Sequence, residues 1–248
     1  MEPLQALPYD LRPMSRIRPL FRTAVGLKFI VAVTGIVLFL WIVIHMLGNL
    51  KTFLGEAEID AYAAGLKTLG KPILPHGFAV WTTRIILIVC LVLHMIAVVK
   101  LTLMNRAARP ISYARYVPRE ATLAARTMLW SGPLLLAYVV YHLLHLTTGT
   151  IRPAAFVHGK VYANLYHSFS LGGVVFVYVA AVALLALHLY HGVWSFFQTV
   201  GLDNPDRNRQ LRRFAAAAAI VLFLGFAAVP LSFLFGTMPA PAAALAGS

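Results

Sequence analysis

Nine histidines occur in a chain otherwise suited to apolar surroundings, and six of them fall inside long apolar runs: His45, His94, His142, His145, His188 and His191. A neutral imidazole offers a nitrogen lone pair and is the commonest metal-ligating side chain. Ionisable groups at membrane depth are costly and by default mark function. The densest stretch is Leu187-His188-Leu189-Tyr190-His191-Gly192-Val193-Trp194-Ser195-Phe196-Phe197, near the end of the fourth apolar run. Four runs whose imidazoles face inward would make a helical bundle that holds metal cofactors between its helices. His76 and His158 fall in polar connections and His167 at a helix start, positions expected to be solvated or interfacial.

The elements that must position these residues follow from composition. Of 248 residues, 60% are hydrophobic and 12% charged, and mean hydropathy is +0.79. A soluble domain carries about 25% charged residues. Apolar windows longer than about 18 residues recur, each long enough to cross a bilayer as a helix. The expected fold is an all-α membrane protein with five transmembrane helices. A basic arm, 1–23, with Arg12, Arg16, Arg18 and Arg22, precedes a membrane domain, 24–236, and a short tail, 237–248, follows it. The helices are expected near 24–50, 78–104, 123–148, 166–199 and 214–235, with a short interfacial helix over Asp60–Leu69.

Arginines concentrate in the arm, in the second helix–helix loop (Arg106, Arg109, Arg115, Arg119) and in the fourth (Arg207, Arg209, Arg212, Arg213). The positive-inside rule then puts the N-terminus inside and the C-terminus outside. The same rule accounts for the formal net charge of +13, and with no soluble domain left to bind it, nucleic acid is not an expected partner. The single cysteine, Cys90, excludes an internal disulfide, a thiolate-held iron–sulfur cluster and covalent c-type haem. No short apolar core with a cleavage site is evident near the N-terminus, so no removable signal peptide is expected.

Depth sorts the histidines. Helices 1 and 3 enter from inside and carry His45 and His142 to an outer level. Helices 2 and 4 enter from outside and carry His94 and His188 to an inner one. Two pairs at two depths is what two stacked bis-histidine haems require, one imidazole from each of two facing helices. A weak repeat accompanies this pattern: Thr34-Gly35 precedes His45, and Ser131-Gly132 precedes His142, glycine to histidine being ten residues in both. Ten residues is close to three helical turns, so each glycine shares a face with its histidine and could admit something bulky and flat, or a neighbouring helix. Spacing alone does not choose between His142 and His145, or between His188 and His191. Interhelical hydrogen bonding by single histidines, a proton relay and a zinc site are the competing readings. A relay lacks a central acid, and zinc would want three or four ligands at one level.

These residues carry a resemblance. Thr34-Gly35 to His45-Met46-Leu47-Gly48-Asn49-Leu50, His94, Ser131-Gly132 to His142, and His188-x-x-x-Gly192-Val193-Trp194-Ser195-Phe196 resemble the five-helix, dihaem cytochrome b anchor subunit of succinate dehydrogenase and fumarate reductase, over essentially the whole chain. The resemblance implies two haems b with axial ligands from the first four helices: His45 with His142 for the distal haem, His94 with His188 for the proximal one. Gly35, Gly132 and Gly192 would pack against haem, and His145 and His191 would be supporting residues. Lys28, Lys100 and Arg126, near inner helix ends, are offered as propionate partners, with lipid phosphate as the alternative.

It further implies a flavoprotein subunit and an iron–sulfur subunit docked on the basic inner face, menaquinone or another quinone as redox partner, and residence in the cytoplasmic (inner) membrane. The dicarboxylate chemistry would belong to the partners, and an oligomer of the whole complex is open. A quinone could lie inside, near Arg22 or Lys28, or outside, near Glu56, Glu58 or Asp60. Some fumarate reductases of the family carry a glutamate two residues before the fourth-helix ligand. Ala186 stands there, which puts that proton path in doubt and favours succinate oxidation. The alternatives are the cytochrome b anchor of another quinone-linked dehydrogenase, such as a hydrogenase or formate dehydrogenase, and a haem-free anchor or transporter.

Overall fold

Thr23 starts the first spanning helix: its hydroxyl accepts a hydrogen bond from the Gly26 N–H at 3.1 Å, satisfying one of the donors that every helix start leaves unpaired. Helix α1 runs Ala24–Leu50 and ends in a 3-10 turn, Lys51–Leu54. The computed structural model describes residues 21–108, 123–152 and 156–242, with the side chains of 123–126 outside that description. The further helices are α2 (Glu56–Thr68), α3 (Phe78–Ala107), α4 (Leu123–His142), α5 (Val161–Phe169), α6 (Gly172–Thr199) and α7 (Asn208–Leu234). No strand occurs among the described residues.

Five segments, Ala24–Leu54, Phe78–Ala107, Thr127–Thr147, Gly172–Thr199 and Asn208–Leu234, are long and apolar enough to cross a membrane. No more than 33% of the apolar window of any of them is buried inside the protein. Apolar side chains such as Trp81, Ile88, Trp130, Phe176 and Leu224 are exposed along them, a surface that suits lipid rather than water. The chain is an all-helical, multi-pass membrane protein.

Helix α1 packs on α3, α6 and α7, and α6 packs on α4 and α7. The order around the bundle is therefore α3, α1, α6, α4, with α7 lying outside α1 and α6 and without substantial packing between α3 and α4. Close approach depends on missing side chains: a Cβ at Gly225 would collide with the Met46 side chain, and one at Gly48 would press on the Tyr62 ring at 3.0 Å. The first lets α7 lie on α1, and the second seats α2 across the end of α1.

One end of the bundle is covered. Glu56 and Glu58 in the first turn of α2 suit the positive end of its dipole. Asp60 Oδ1 accepts from the Tyr162 N–H at 3.1 Å, capping the start of α5 from another helix. The Tyr162 hydroxyl donates to the Pro239 carbonyl at 2.9 Å, and Glu56 Oε2 accepts from the Ala242 N–H at 2.8 Å. These bonds tie α2, α5 and the tail over Ile59, Tyr162, Leu165, Phe169, Tyr178 and Phe233. This is the cap end. At the opposite, basic end lie the start of α1, the end of α3 with Arg106, and the α6–α7 connection, where Asp203 accepts from Asn208 Nδ2 at 3.0 Å.

Four elements differ from expectation. The fourth apolar run is not one helix over 166–199 but two, α5 and α6, broken at Leu171 in an extended conformation (φ −102, ψ 114). The Ser170 hydroxyl bonds back to the Tyr166 carbonyl at 2.7 Å, and Gly172-Gly173 follow, so neither side of the break favours continuing the helix. His167 falls in the last turn of α5 rather than at a helix start. The third run is α-helical only to His142, and Leu143–Thr147 form a π-turn, with the Thr148 N–H reaching back five residues to the Leu143 carbonyl at 2.9 Å. The interfacial helix begins at Glu56 rather than Asp60, and the fifth span begins at Asn208 rather than 214. The arm to residue 20, Arg109, Arg115, Arg119, the Arg126 side chain and the last six residues lie outside the described residues.

Candidate functional site

A cleft of about 2170 Å³ runs along the bundle between α1, α3, α4 and α6. His45, His94, His142, His188 and His191 line it, one or two from each helix, and His145 does not. Helix order makes both principal pairings diagonal: His45 on α1 faces His142 on α4, and His94 on α3 faces His188 on α6.

The cap-side pair is in ring-to-ring range, His45 and His142 having centroids 6.0 Å apart. A metal ion held between two imidazoles at about 2 Å from each nitrogen separates ring centres by about 6 Å, so this spacing fits such a pair. Trp41 stacks on His45 at 5.7 Å, and Tyr138 and Tyr178 each lie 6.0 Å from His142. His142 Nδ1 is buried without a hydrogen-bond partner. A buried imidazole nitrogen with no partner is costly in the protein alone, and a ligand in the cleft would remove that cost.

The second pair is oriented by two hydroxyls. Thr34 Oγ1 donates to the Ile30 carbonyl at 2.7 Å, and the same oxygen lies 3.0 Å from His94 Nδ1. A hydroxyl has one proton, so Thr34 accepts from His94 Nδ1–H. Ser131 Oγ repeats the arrangement, donating to the Met128 carbonyl at 3.4 Å and lying 3.2 Å from His188 Nδ1. Both imidazoles are thereby assigned the tautomer with the proton on Nδ1 and a lone pair on Nε2, the form in which histidine ligates a metal. The His94 ring lies over Gly35, where a Cβ would stand 3.5 Å from Cε1.

These contacts also fix the separation of the two levels. Thr34 precedes His45, and Ser131 precedes His142, by eleven residues, or about 16 Å of helix at 1.5 Å per residue. The hydroxyl–glycine repeat thus serves the other pair: each of α1 and α4 supplies a ligand-type imidazole at one level and an orienting hydroxyl at the other.

His145 is different. It is 2% exposed, its Nδ1 lies 3.0 Å from the Tyr178 hydroxyl, and its Nε2 lies 3.2 Å from Ser168 Oγ. Both nitrogens are engaged, and the π-turn that begins after His142 keeps it out of the cleft. His145→Ala strands Tyr178 and Ser168 and is expected to destabilise the protein by about 1–3 kcal/mol, read as a lowered thermal unfolding temperature in detergent. His191 lines the cleft with a buried, unpartnered Nδ1 and meets Trp194 edge-on at 6.3 Å.

Gly132 and Gly192 line the cleft, and a Cβ at either would meet nothing within 4 Å. Lys28 lines it and Lys100 does not. Of the groups considered for a quinone, Arg22, Glu56, Glu58 and Asp60 are not in its wall. Thr34 and Ser131 were quoted in the sequence motif without a role; the signal that could have found them is a hydroxyl repeated at one spacing from two histidines. Tyr178 and Ser168 had no comparable signal, whereas Arg84 stands as a charged side chain inside the second apolar run.

Among the described residues no three His, Cys, Asp or Glu side chains converge as a metal cluster. The arrangement is one of pairs. Comparison with models of protein families, with curated proteins and with solved structures finds no match for this chain.

Proposed function

We propose that this chain is the membrane-anchor cytochrome b subunit of a succinate:quinone oxidoreductase, carrying electrons between an iron–sulfur subunit and a quinone, menaquinone by the resemblance, through two bis-histidine haems b. The observation that carries the reading is the pair of hydroxyls, Thr34 and Ser131, that hold His94 and His188 in the ligating tautomer. Packing alone gives no reason for two helices to repeat that device. The 6.0 Å spacing of His142 to His45 and a cleft lined by Gly35, Gly132 and Gly192 support the same donor set.

Bound haem b supplies one-electron exchange between ferric and ferrous iron. The chain's own residues do the rest. His45 and His142 would hold one group near the cap, and His94 and His188 the other nearer the basic end. Thr34 and Ser131 fix the ring orientations, and Gly35, Gly132 and Gly192 leave room beside them. Leu38, Phe39, Leu136, Val139 and Leu185 keep the intervening cleft apolar, which excludes water between the levels. The two pairs stand at levels about 16 Å apart along the bundle, so groups held there would be stacked along its length. On this reading the basic end faces the cytoplasm, and Arg207, Arg209 and Arg213, with Arg106, attract an acidic partner surface. The cap end faces outward.

Membranes carrying the whole complex test the anchor role. Succinate is expected to reduce a b-type cytochrome, and deletion of this chain is expected to abolish succinate-dependent quinone reduction while a soluble dye is still reduced. A b-type signal untouched by succinate would assign the chain to another dehydrogenase. Thr34→Val, close in shape but without the acceptor, is expected to weaken haem retention at the His94 level about 10–100-fold and to spare the other level, measured as haem per chain during dilution or transfer to apomyoglobin.

A further inference from the structure

The cleft wall is electrically one-sided. Lys28 and Arg106 line it towards the basic end and Arg84 lines it towards the cap, whereas no Asp or Glu lines it among the described residues. Lys28 already has a candidate role; Arg84 has none. It stands ten residues before His94 on α3, which runs antiparallel to α1. That is about 15 Å from the His94 level in the direction of the cap, the level of His45 and His142. Its guanidinium carbon lies over the Trp81 ring, 4.9 Å from the centroid, a cation–π contact that steadies the side chain without neutralising it. Among the described residues no hydrogen bond or ion pair engages it, and no acid stands in the cleft to do so. A cation within a spanning helix pairs with an anion or reaches out to the membrane interface, and the chain's cleft offers no anion.

Resting on the dihaem reading above, we propose that Arg84 is the carboxylate anchor of the cap-end cofactor, pairing with a propionate of the group held between His45 and His142. A guanidinium presents a fork that matches a carboxylate with two parallel hydrogen bonds. The pairing would set the orientation of the bound group, which the two imidazoles alone would leave free. Its positive charge also favours the reduced state of that group over the oxidised one. The same guanidinium chemistry could be met by a lipid phosphate at the membrane surface, since Arg84 is exposed and only six residues from the start of α3.

Equilibrium redox titration of the purified complex, followed at the b-type absorption band, separates these sources. The cap-end midpoint is identified as the one lost in His142→Ala. Arg84→Gln is expected to lower that midpoint and leave the other unchanged, and Arg84→Lys to restore most of the shift. Loss of the cap-end haem in Arg84→Gln with retention in Arg84→Lys supports the same anchor. Two unmoved midpoints with full haem content, accompanied by reduced phospholipid phosphorus in the preparation, would overturn the proposal in favour of lipid phosphate. Equal haem loss in both variants would reduce Arg84 to a packing residue and overturn it as well. A wild-type complex without b-type haem would instead defeat the dihaem reading on which the proposal rests.

Discussion

His142→Ala is expected to remove one of two haems b and leave the other. His188→Ala is expected to remove the complementary one, and the double variant both. The expectation rests on the diagonal pairing: His142 shares a level with His45, and His188 shares one with His94, about 16 Å away along the bundle. Haem per chain by pyridine haemochrome should therefore fall from about two to about one in each single variant, with different bands surviving. His145→Ala should keep both haems, because its two nitrogens are held by Tyr178 and Ser168. Haem loss in His145→Ala together with retention in His142→Ala would reverse the assignment.

The second large effect is expected from Gly132→Leu. A Cβ at this position meets no atom of another element within 4 Å; the crowding it meets is local, from the ring of Pro133 that follows it in the helix. Leucine also favours the helix over glycine by about 0.8–1 kcal/mol. Without a cofactor the variant should still fold, the propensity gain offsetting the crowding at Pro133. With one, the leucine projects into the cleft beside Ser131, at the level of His94 and His188. The haem content should then fall by about one per chain while the helical circular dichroism is unchanged. Full haem content in this variant would mean that the glycine serves backbone packing and not a ligand.

How much of this was legible in the residues depends on the range of the interaction. Five apolar runs could be read directly, because span length and hydropathy are local properties. The division of the fourth run at Leu171 could not, since the apolar pattern continues through it and only the Ser170 back-bond and the glycine pair interrupt the ladder. The π-turn after His142 was equally hidden; it separates His142 from His145, which spacing left open. The contacts that orient the imidazoles join Thr34 to His94 and Ser131 to His188, across 60 and 57 residues of sequence. No local periodicity reports such pairs. The repeated Thr-Gly and Ser-Gly were visible, but they suggested a place for something flat, or for a neighbouring helix, beside the histidine of the same helix. The hydroxyls act instead on the neighbouring helix, one level away.

The most direct test of the two-level account is a reduced-minus-oxidised spectrum of the purified complex with pyridine-haemochrome quantitation. The account predicts a b-type spectrum and two haems b per copy of this chain. One haem would make one of the histidine pairs a structural contact and contradict the two-level arrangement. No Soret band would contradict the account altogether, leaving a haem-free anchor or transporter whose buried imidazoles only pack.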